Sequence, residues 1–459
     1  MLQGLARLSI SASKKMKKLA TVLCILTICV FMLLFVQERT HFIQLKPLAG
    51  VPAQSDHKKL SLHNLSDGSF QDDLEQRLRY SFGFNEFLVR NYNQVLYSCL
   101  HSVTNRHIRK GLDGELYLKM YLEEVTGKTL RNTYSSIDSA KALARYNVEE
   151  TLRLVDTLRS HGTEFLFVFA PTKTYVYSEK MPSYYRKHIQ EFSLEDYYIE
   201  LFKEYGIPHI DFYHQFRAMR DTVAYPLYSR TGTHWATSTQ PYVTDSIYKK
   251  ITSLTGKQLP KICCANAPLS TEYTEQDGEL ESKMNLLFPL DKPALPRPEI
   301  VLCDTAGKDR PNLLVVGDSH FGSLLAFGFT DAFANWDFWE YNKTSISSNP
   351  TYKWVLIKNL PFAHKTLEDA DIVLAVFTAP MLYDYMFGFT QSAFDLYEYA
   401  RCESCVREGR IRWTTHAITT DSVWYNAVKK QAVEKNISVE EALRGNAEYI
   451  IWMEDQGNN

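Results

Sequence analysis

Short, uninterrupted apolar runs recur through the middle of the chain and alternate with helical patterns. Such a run, five to seven residues long, is typical of a strand buried on both faces. Between the runs, apolar residues recur at helical spacing over about 140–160 and 197–205. Strands and helices in this alternation predict a parallel sheet with a helical layer on each side. We therefore predict a three-layer α/β/α domain over residues 80–415, with strands at 165–170, 207–211, 312–317 and 371–377.

Two further segments stand apart from this alternation. Residues 261–311 contain several prolines and two adjacent cysteines, which predicts an excursion from the sheet. Residues 416–459 form a tail with a predicted helix pair, and Ser438 and Glu441 have the spacing of a capping box. We interpret this tail as a packing or docking element.

The N-terminus predicts a membrane anchor. Four lysines within residues 14–18 precede Leu19–Val36, which is 18 residues without a charge. That length is at the short end for a transmembrane helix, and the run ends without the small-x-small site of a cleaved signal peptide. We predict a cytoplasmic segment at 1–18, a signal anchor at 19–36 and a tether at 37–79. The lysines would keep the N-terminus inside, so the remaining chain would face the periplasmic or extracellular side of the cytoplasmic membrane.

Composition and charge exclude some classes of protein. The chain has 459 residues, 45% of them hydrophobic, so it is not a mostly disordered protein. Its 51 Lys and Arg balance 53 Asp and Glu, which leaves no basic field to hold a nucleic acid.

Six cysteines lie outside the apolar N-terminal run. Cys402 and Cys405 could close a small loop or pair elsewhere. A zinc site from Cys263, Cys264, Cys402 and Cys405 is a second option, but adjacent cysteines suit zinc poorly, so disulfides or free thiols are favoured. No phosphate-binding glycine loop or calcium loop is present in the expected context. We predict no metal and no cofactor.

The tetrapeptide Gly317-Asp-Ser-His320 follows one predicted strand and precedes an apolar run that could begin a helix. A serine at such a turn is well placed for nucleophilic attack, because helix N-terminal amides point towards an oxyanion formed beside it. The same tetrapeptide is also common as simple helix capping.

A second motif, Thr231-Gly-Thr-His-Trp235, could supply the base that a serine nucleophile needs. Trp235 would hold the ring of His234 in place by packing. In isolation, a loop histidine stacked on a tryptophan is the simpler interpretation.

Taken together, three blocks in this order resemble the SGNH-hydrolase-like O-acetyltransferases of the alginate acetylation type (AlgX/AlgJ-like). The resemblance covers about residues 80–400. Residues 167–173, with Tyr177 and Pro182, resemble the family's first strand and Pro-x-Lys loop. Residues 228–235 resemble its Asp-x-His-Trp block, and residues 314–319 resemble its Gly-Asp-Ser block.

The resemblance implies roles for several residues. Ser319 matches the nucleophile and His234 the base, but the orienting acid two residues before the histidine is Gly232 here. Losing that carboxylate can cost roughly 10⁴ in turnover. Either Asp318 or Asp221 substitutes, or the pair works as a dyad, or catalysis is weakened or lost.

Further residues are candidates for substrate binding or the oxyanion hole. The backbone N–H of Ser319 is the first donor that we expect, with Gly322 or the side-chain amide of Asn342 as the second. Lys173 follows a strand end and is expected at the rim of the site. Trp235 belongs to this group through its motif, and nearby tyrosines would suit sugar recognition.

The resemblance implies a membrane-anchored enzyme that transfers acetyl groups through Ser319 to hydroxyls of an exported polysaccharide or cell-surface glycan. It also implies a membrane-bound O-acyltransferase (MBOAT) as the acetyl donor. Two alternatives remain open at this point. One is an acetyl esterase with the same site, and the other, motivated by Gly232, is a non-catalytic glycan-binding or scaffold protein.

Overall fold

A computed structural model describes residues 2–50, 60–80, 82–264, 266–349, 355–357, 363–399, 403–420 and 422–457. They form two compact units. The first contains the residues up to 106 together with 280–291, and the second contains 107–279 and 292–459. The predicted domain boundaries stay predictions.

The first unit is helical. Its helices are α1 (Leu2–Thr40), α2 (Leu62–Ser66), α3 (Ser69–Tyr80) and α4 (Asn85–Leu100). Within α1, the stretch Lys18–Thr40 is 23 residues long with a mean hydropathy of 3.0, which is long and apolar enough to cross a membrane. This supports the predicted N-terminal apolar helix. Residues 51–59 of the predicted tether lie outside the described residues.

The second unit is built on a sheet. Its strands are β1 (Ile108–Lys110), β2 (Leu116–Leu118), β3 (Glu164–Ala170), β4 (His209–Asp211), β5 (Lys261–Cys264), β6 (Leu269–Ser270), β7 (Leu295–Pro296), β8 (Ile300–Cys303), β9 (Leu313–Gly317), β10 (Trp336–Glu340), β11 (Thr344–Ser347), β12 (Val355–Leu356) and β13 (Ile372–Thr378).

Helices connect these strands. In chain order they are α5 (Lys119–Val125), α6 (Lys128–Thr133), α7 (Ile137–Ser160), α8 (Lys173–Val176), α9 (Ser183–Arg186), α10 (Leu194–Glu204), α11 (Phe212–Met219), α12 (Gln240–Thr255), α13 (Glu279–Ser282), α14 (Ser319–Leu325), α15 (Ala363–Asp369), α16 (Phe389–Tyr399), α17 (Glu403–Thr420), α18 (Ser422–Lys435) and α19 (Val439–Gly457). Short 3₁₀ helices include Thr237–Thr239 and Ala379–Gly388.

The main sheet has seven strands in the order β12-β11-β10-β9-β13-β3-β4. The five strands from β10 to β4 run parallel, whereas β11 and β12 are antiparallel additions. The four predicted strands are neighbours in this sheet, so the predicted α/β fold is confirmed. Strand β10 escaped prediction because Asp337 and Glu340 interrupt the apolar pattern.

Both faces of the sheet are covered. Phe165, Phe167 and Phe169 of β3 point to one layer, which includes Ala144 and Val148 of α7. The alternate residues of β3 point to the opposite layer, which includes apolar residues of α12 and α14. This alternation across a strand buried on both sides gives the three-layer arrangement.

The excursion after α12 contains a small sheet of its own. Strands β5 and β8 pair antiparallel, and a disulfide joins Cys263 to Cys303 across them. Because Cys263 is committed to this bond, the zinc site considered above is excluded. Cys405 is also disulfide-bonded, and Cys402 lies outside the described residues. The described residues contain no cluster suited to a metal ion.

The C-terminal helices α17, α18 and α19 share a small apolar core. The predicted capping box at the start of α19 is present. Ser438 Oγ accepts a hydrogen bond from the backbone N–H of Glu441 at 3.0 Å, and the carboxylate of Glu441 accepts one from the N–H of Ser438 at 2.9 Å.

Candidate active site

Ser319 is the first residue of α14, directly after the turn that ends β9. Gly317 is required in this turn, because an added Cβ would lie 2.8 Å from the carbonyl oxygen of Val376 on the neighbouring strand. The strand end thus approaches β13 closely and holds Ser319 at the carboxyl edge of the parallel sheet, where ligands of open α/β sheets bind.

Asp318 stabilises this turn. Its Oδ1 accepts a hydrogen bond from the backbone N–H of His320 at 2.8 Å. Its Oδ2 accepts bonds from the N–H and hydroxyl of Thr378 at 2.9 and 2.8 Å. Burial acts to raise the pKa of Asp318, but the contacts with His320 and Thr378 outweigh burial and hold that pKa below its usual value. The carboxylate therefore caps α14 and joins two strand ends.

His234 lies beside Ser319. Its Nε2 is 3.0 Å from Ser319 Oγ, although 85 residues separate the two in the chain. At this distance a neutral imidazole can accept the hydroxyl proton, which is the first requirement for a serine nucleophile and its general base. The structure thus brings together the two residues that the motifs singled out.

A carboxylate lies on the other side of the ring. Glu279 Oε2 is 3.1 Å from His234 Nδ1, although the angle at Nδ1 departs from that of a well-aligned hydrogen bond. Both side chains are largely buried, with exposed fractions of 11% for His234 and 14% for Glu279. Serine, histidine and glutamate therefore follow one another in a chain of contacts.

The position of Glu279 corrects the prediction that Asp318 or Asp221 orients His234. The oxygens of Asp318 bind the N–H groups and hydroxyl described above, so this residue does not orient His234. Asp221 is paired with Arg220 at 3.3 Å and its side chain is 80% exposed. Sequence reasoning missed Glu279 because it lies in the irregular excursion, 45 residues after His234, at no recognisable spacing.

The packing around Gly232 explains why the orienting acid does not come from the residue two positions before His234. A Cβ at this position would lie 2.6 Å from the carbonyl oxygen of Gln276 and 3.1 Å from that of Asp277. The Asp277 carbonyl also accepts hydrogen bonds from the hydroxyls of Ser229 and Thr231, at 2.6 and 2.9 Å. This packing against Gly232 places the chain so that Glu279, two residues further on, reaches His234.

Lys173 does not lie at the rim, which corrects the sequence-based expectation. Its side chain is 1% exposed and its Nζ is 2.8 Å from Glu115 Oε2. The same Nζ donates to the carbonyl oxygens of Ser229 and Arg230 at 2.7 and 2.8 Å. Burial lowers the pKa of Lys173, while Glu115 opposes that effect. Lys173 thus organises the loop that leads to His234 and is not accessible to a substrate.

Trp235 is also structural, contrary to its predicted place near the substrate. The residue is fully buried and its Nε1 donates to Ser323 Oγ at 2.8 Å. Its ring packs edge-on against His320, which in turn packs against His234. Burial is the main cause that lowers the pKa of His320. The neutral form of His320 is therefore favoured, which avoids a second positive charge beside His234.

Asn342 is committed to other partners and is not the oxyanion donor predicted from sequence. Its side-chain amide donates to the carbonyl oxygen of Phe387 at 3.0 Å and to Ser392 Oγ at 3.1 Å. Gly322 lies in the first turn of α14, with open space beside its Cα, and its role stays a prediction.

The neighbouring Tyr341 has its hydroxyl close to Ser319. Burial is the main cause that raises the pKa of this hydroxyl above its usual value, and the side chain and backbone N–H of Ser319 act to lower it. Its backbone has a φ of 50°, in the left-handed region that non-glycine residues rarely adopt. Such strained backbone is often found at functional sites.

The fold and this chain of contacts define an SGNH-hydrolase-like α/β domain with a serine site. Residues 130–301, which are less than half of the chain, match the family model described as the SGNH hydrolase-like domain of acetyltransferase AlgX. The match includes His234, Gly232 and Glu279 and ends before Ser319. Comparison with curated protein sequences gives no match.

Solved structures show the same likeness at low identity. Pseudomonas aeruginosa AlgX is 17% identical with a TM-score of 0.38, and the match covers 62% of this chain and 66% of that chain, just under two thirds. The O-acetyltransferase domain of Pseudomonas putida AlgJ is 15% identical with a TM-score of 0.37, covering 62% and 99%. Bacillus cereus PatB1 is 12% identical with a TM-score of 0.33, covering 54% and 92%.

Proposed function

We propose that this protein is an O-acetyltransferase that carries an acetyl group on Ser319 and passes it to a hydroxyl of an exported polysaccharide or cell-surface glycan. The observation that carries the proposal is the contact chain from Ser319 Oγ through His234 to Glu279, at 3.0 and 3.1 Å. The family match of residues 130–301 supports acetyl transfer as the chemistry.

The first half-reaction forms the acetyl-enzyme. His234 Nε2 takes the proton of Ser319 as Oγ attacks the acetyl carbonyl of the donor ester, and Glu279 stabilises the imidazolium that results. The imidazolium then gives its proton to the leaving alkoxide. The bond from the acetyl carbon to the donor oxygen breaks as the acetyl–Ser319 bond persists.

The oxyanion of each tetrahedral intermediate needs donors. The Ser319 N–H and the Tyr341 hydroxyl lie close to one another, so a carbonyl oxygen placed between them could accept hydrogen bonds from both. Because burial keeps the pKa of Tyr341 above its usual value, this hydroxyl keeps its proton at neutral pH.

The second half-reaction regenerates the enzyme. His234 removes the proton of an acceptor hydroxyl, which attacks the acetyl carbon and releases Ser319. With a sugar hydroxyl as acceptor the product is an acetylated glycan, and with water it is acetate. Glu279 beside His234 removes the reason, based on Gly232, for the non-catalytic alternative.

The proposed setting is the outer face of the cytoplasmic membrane. The stretch Lys18–Thr40 would anchor the chain, and an MBOAT protein would bring acetyl groups across the membrane to Ser319. This donor partner is inferred from the family resemblance and follows from the need for an activated acetyl group outside the cytoplasm.

The test is labelling of the detergent-solubilised full chain with a fluorophosphonate probe. We expect Ser319 to be labelled in the wild type, Ser319→Ala to remain unlabelled and His234→Ala to label much more slowly. Ser253→Ala, which changes an exposed serine on α12, is the matched control and should label normally. A folded wild-type chain without label on Ser319 would contradict the proposal.

A second measurement separates transfer from hydrolysis. Unlabelled wild-type protein is given 4-nitrophenyl acetate with and without cellotetraose, and the products are analysed by mass spectrometry. Acetylated cellotetraose supports transfer, whereas acetate as the sole product at saturating sugar supports the esterase alternative.

A further inference from the structure

A cavity of about 320 Å³ lies in the second unit between the 3₁₀ segment Ala379–Gly388 and helices α16 and α17. Its wall includes Asn342, Asp384, Phe387, Gln391, Arg412 and Trp413. Cavities of this size are typical of sites for small ligands or single units of a polymer. The described part of α17 thus contributes to a cavity as well as to the C-terminal helical core.

The cavity is adjacent to the candidate active site. Asn342 directly follows Tyr341, whose hydroxyl interacts with Ser319. The ring of Tyr341 also packs edge-on against Phe387 at 5.2 Å between centroids. One side chain, Tyr341, therefore has Ser319 on one side and a residue of the cavity wall on the other.

Three buried polar atoms of residues in the wall have no hydrogen-bond partner among the described residues. They are the donor Trp413 Nε1 and the acceptors Asn342 Oδ1 and Asp395 Oδ2. Leaving such a group unpaired costs about 1–3 kcal/mol. These atoms have almost no accessible surface, so a ligand could pair with them only if the wall moved. An indole N–H buried beside a cavity is usually paired when its partner is present.

Charged and amide side chains also line the cavity, although most of its exposed wall is apolar. Asp395 is ion-paired with Arg412 at 2.9 Å and accepts a bond from Gln391 at 2.9 Å, so these three side chains support one another. Burial raises the pKa of Asp384, and His416 and Lys343 oppose that effect. A carboxyl group and an amide close to aromatic rings are typical of sites for sugar rings, which have apolar faces and hydroxyls at their edges.

We propose that this cavity binds a sugar ring of the acceptor glycan, next to the unit whose hydroxyl receives the acetyl group. The acceptor role rests on the proposed function, whereas sugar binding itself does not. It follows that the C-terminal helices contribute to acceptor selection, in addition to the packing role expected from sequence. An acyl chain is the less suitable occupant, because it would cover the exposed carboxyl group of Asp384 and the amide of Gln391 without forming hydrogen bonds to them.

The test measures binding to the full chain carrying Ser319→Ala, which prevents turnover. The protein is labelled with 5-fluorotryptophan, and the Trp413 resonance is assigned by its loss in Trp413→Phe. The probes are cellotetraose, chitotetraose and tetramannuronate, with octanoate as the acyl probe. We expect at least one oligosaccharide to shift the Trp413 resonance saturably, and Asp384→Asn to weaken that binding at least tenfold. Asp245→Asn, a change at a partly exposed residue of α12, is the control and should bind normally.

No saturable shift with any of the three oligosaccharides at 20 mM, or a saturable shift with octanoate alone, would overturn the proposal. Unchanged affinity in Asp384→Asn would do the same. The two proposals can fail separately. A fluorophosphonate-labelled Ser319 without a shift overturns only the sugar site, and a sugar-dependent shift without labelling overturns only acetyl transfer.

Discussion

His234 Nδ1 lies 3.1 Å from Glu279 Oε2, so the base has a carboxylate partner although the residue two positions before it is a glycine. A carboxylate in this position fixes the tautomer that leaves Nε2 free to accept a proton, and it stabilises the imidazolium. The partner comes from a different segment of the chain, but it meets the same physical requirement.

The first prediction concerns Glu279→Gln. We expect kcat for acetyl release to fall by about 10² to 10⁴, with little change in KM, because the loss affects the transition state. Glu279→Asp should be intermediate. Glu275→Gln, an exposed change in the same segment, is the control. Wild-type kcat in Glu279→Gln would show that the carboxylate does not assist His234.

The second prediction concerns the Tyr341 hydroxyl. We expect Tyr341→Phe to lower kcat by about 10 to 10³, as loss of an oxyanion donor does, and to change the melting temperature little, since the ring and its packing on Phe387 remain. Tyr184→Phe, at an exposed tyrosine, is the control. An unchanged kcat would assign Tyr341 a packing role.

The third prediction concerns Gly232. We expect Gly232→Asp not to accelerate turnover and to destabilise the fold by about 1–3 kcal/mol, since its Cβ would meet the carbonyl oxygen of Gln276 at 2.6 Å. Gly232→Ala should destabilise similarly, which separates the steric cause from charge. Gly445→Ala, where nothing lies near the added Cβ, is the control. Faster turnover in Gly232→Asp would contradict the structure at this position.

The fourth prediction concerns pH and two buried acids, Glu124 and Glu195. Burial raises the pKa of Glu124 to about 8 and raises that of Glu195 well above its usual value, and the Glu124 carboxyl adds to the effect on Glu195. Both groups are protonated in the fold at pH values where the unfolded chain has lost those protons. The free energy of unfolding should therefore decrease as pH rises from about 4.5 towards 8.

For each of these two carboxyl groups, the free energy of unfolding should decrease by at most about 1.4 kcal/mol per pH unit. Urea unfolding at pH 5, 6.5 and 8 measures it, and Glu124→Gln and Glu195→Gln should each flatten the dependence. Glu200→Gln, on the exposed face of α10, should not. An identical pH slope in all three variants would show that neither buried acid is protonated in the fold.

The fifth prediction concerns the N-terminal helix. We expect the full chain to stay with membranes after a high-salt wash, because Leu19–Val36 contains no charge. A chain that begins after residue 40 should be released. Mature protein beginning after residue 36 would instead identify the segment as a cleaved signal.

The sequence by itself determined the α/β fold, the apolar N-terminal helix and the Ser319 and His234 pair. The strands at 165–170 and 371–377 are continuous apolar runs, as expected of strands that are buried on both faces of a sheet. Ser319 and His234 lie in short motifs whose order along the chain resembles one family. These features are local in sequence, so periodicity and motif recognition are sufficient to predict them.

Only the tertiary structure decided how the rest of the site is built. Glu279 reaches His234 because residues 276–277 pack against Gly232, and no pattern in the sequence encodes that contact. Lys173 and Trp235 lie in recognised motifs, yet burial makes them supports of the loop that carries His234. Tyr341 and Asn342 are neighbours with left-handed backbone, yet the Tyr341 hydroxyl lies close to Ser319 whereas the Asn342 amide binds Phe387 and Ser392. Contacts between segments that are distant in the chain decide which side chains reach the site. The direction and the burial of a side chain depend on the residues that pack against it.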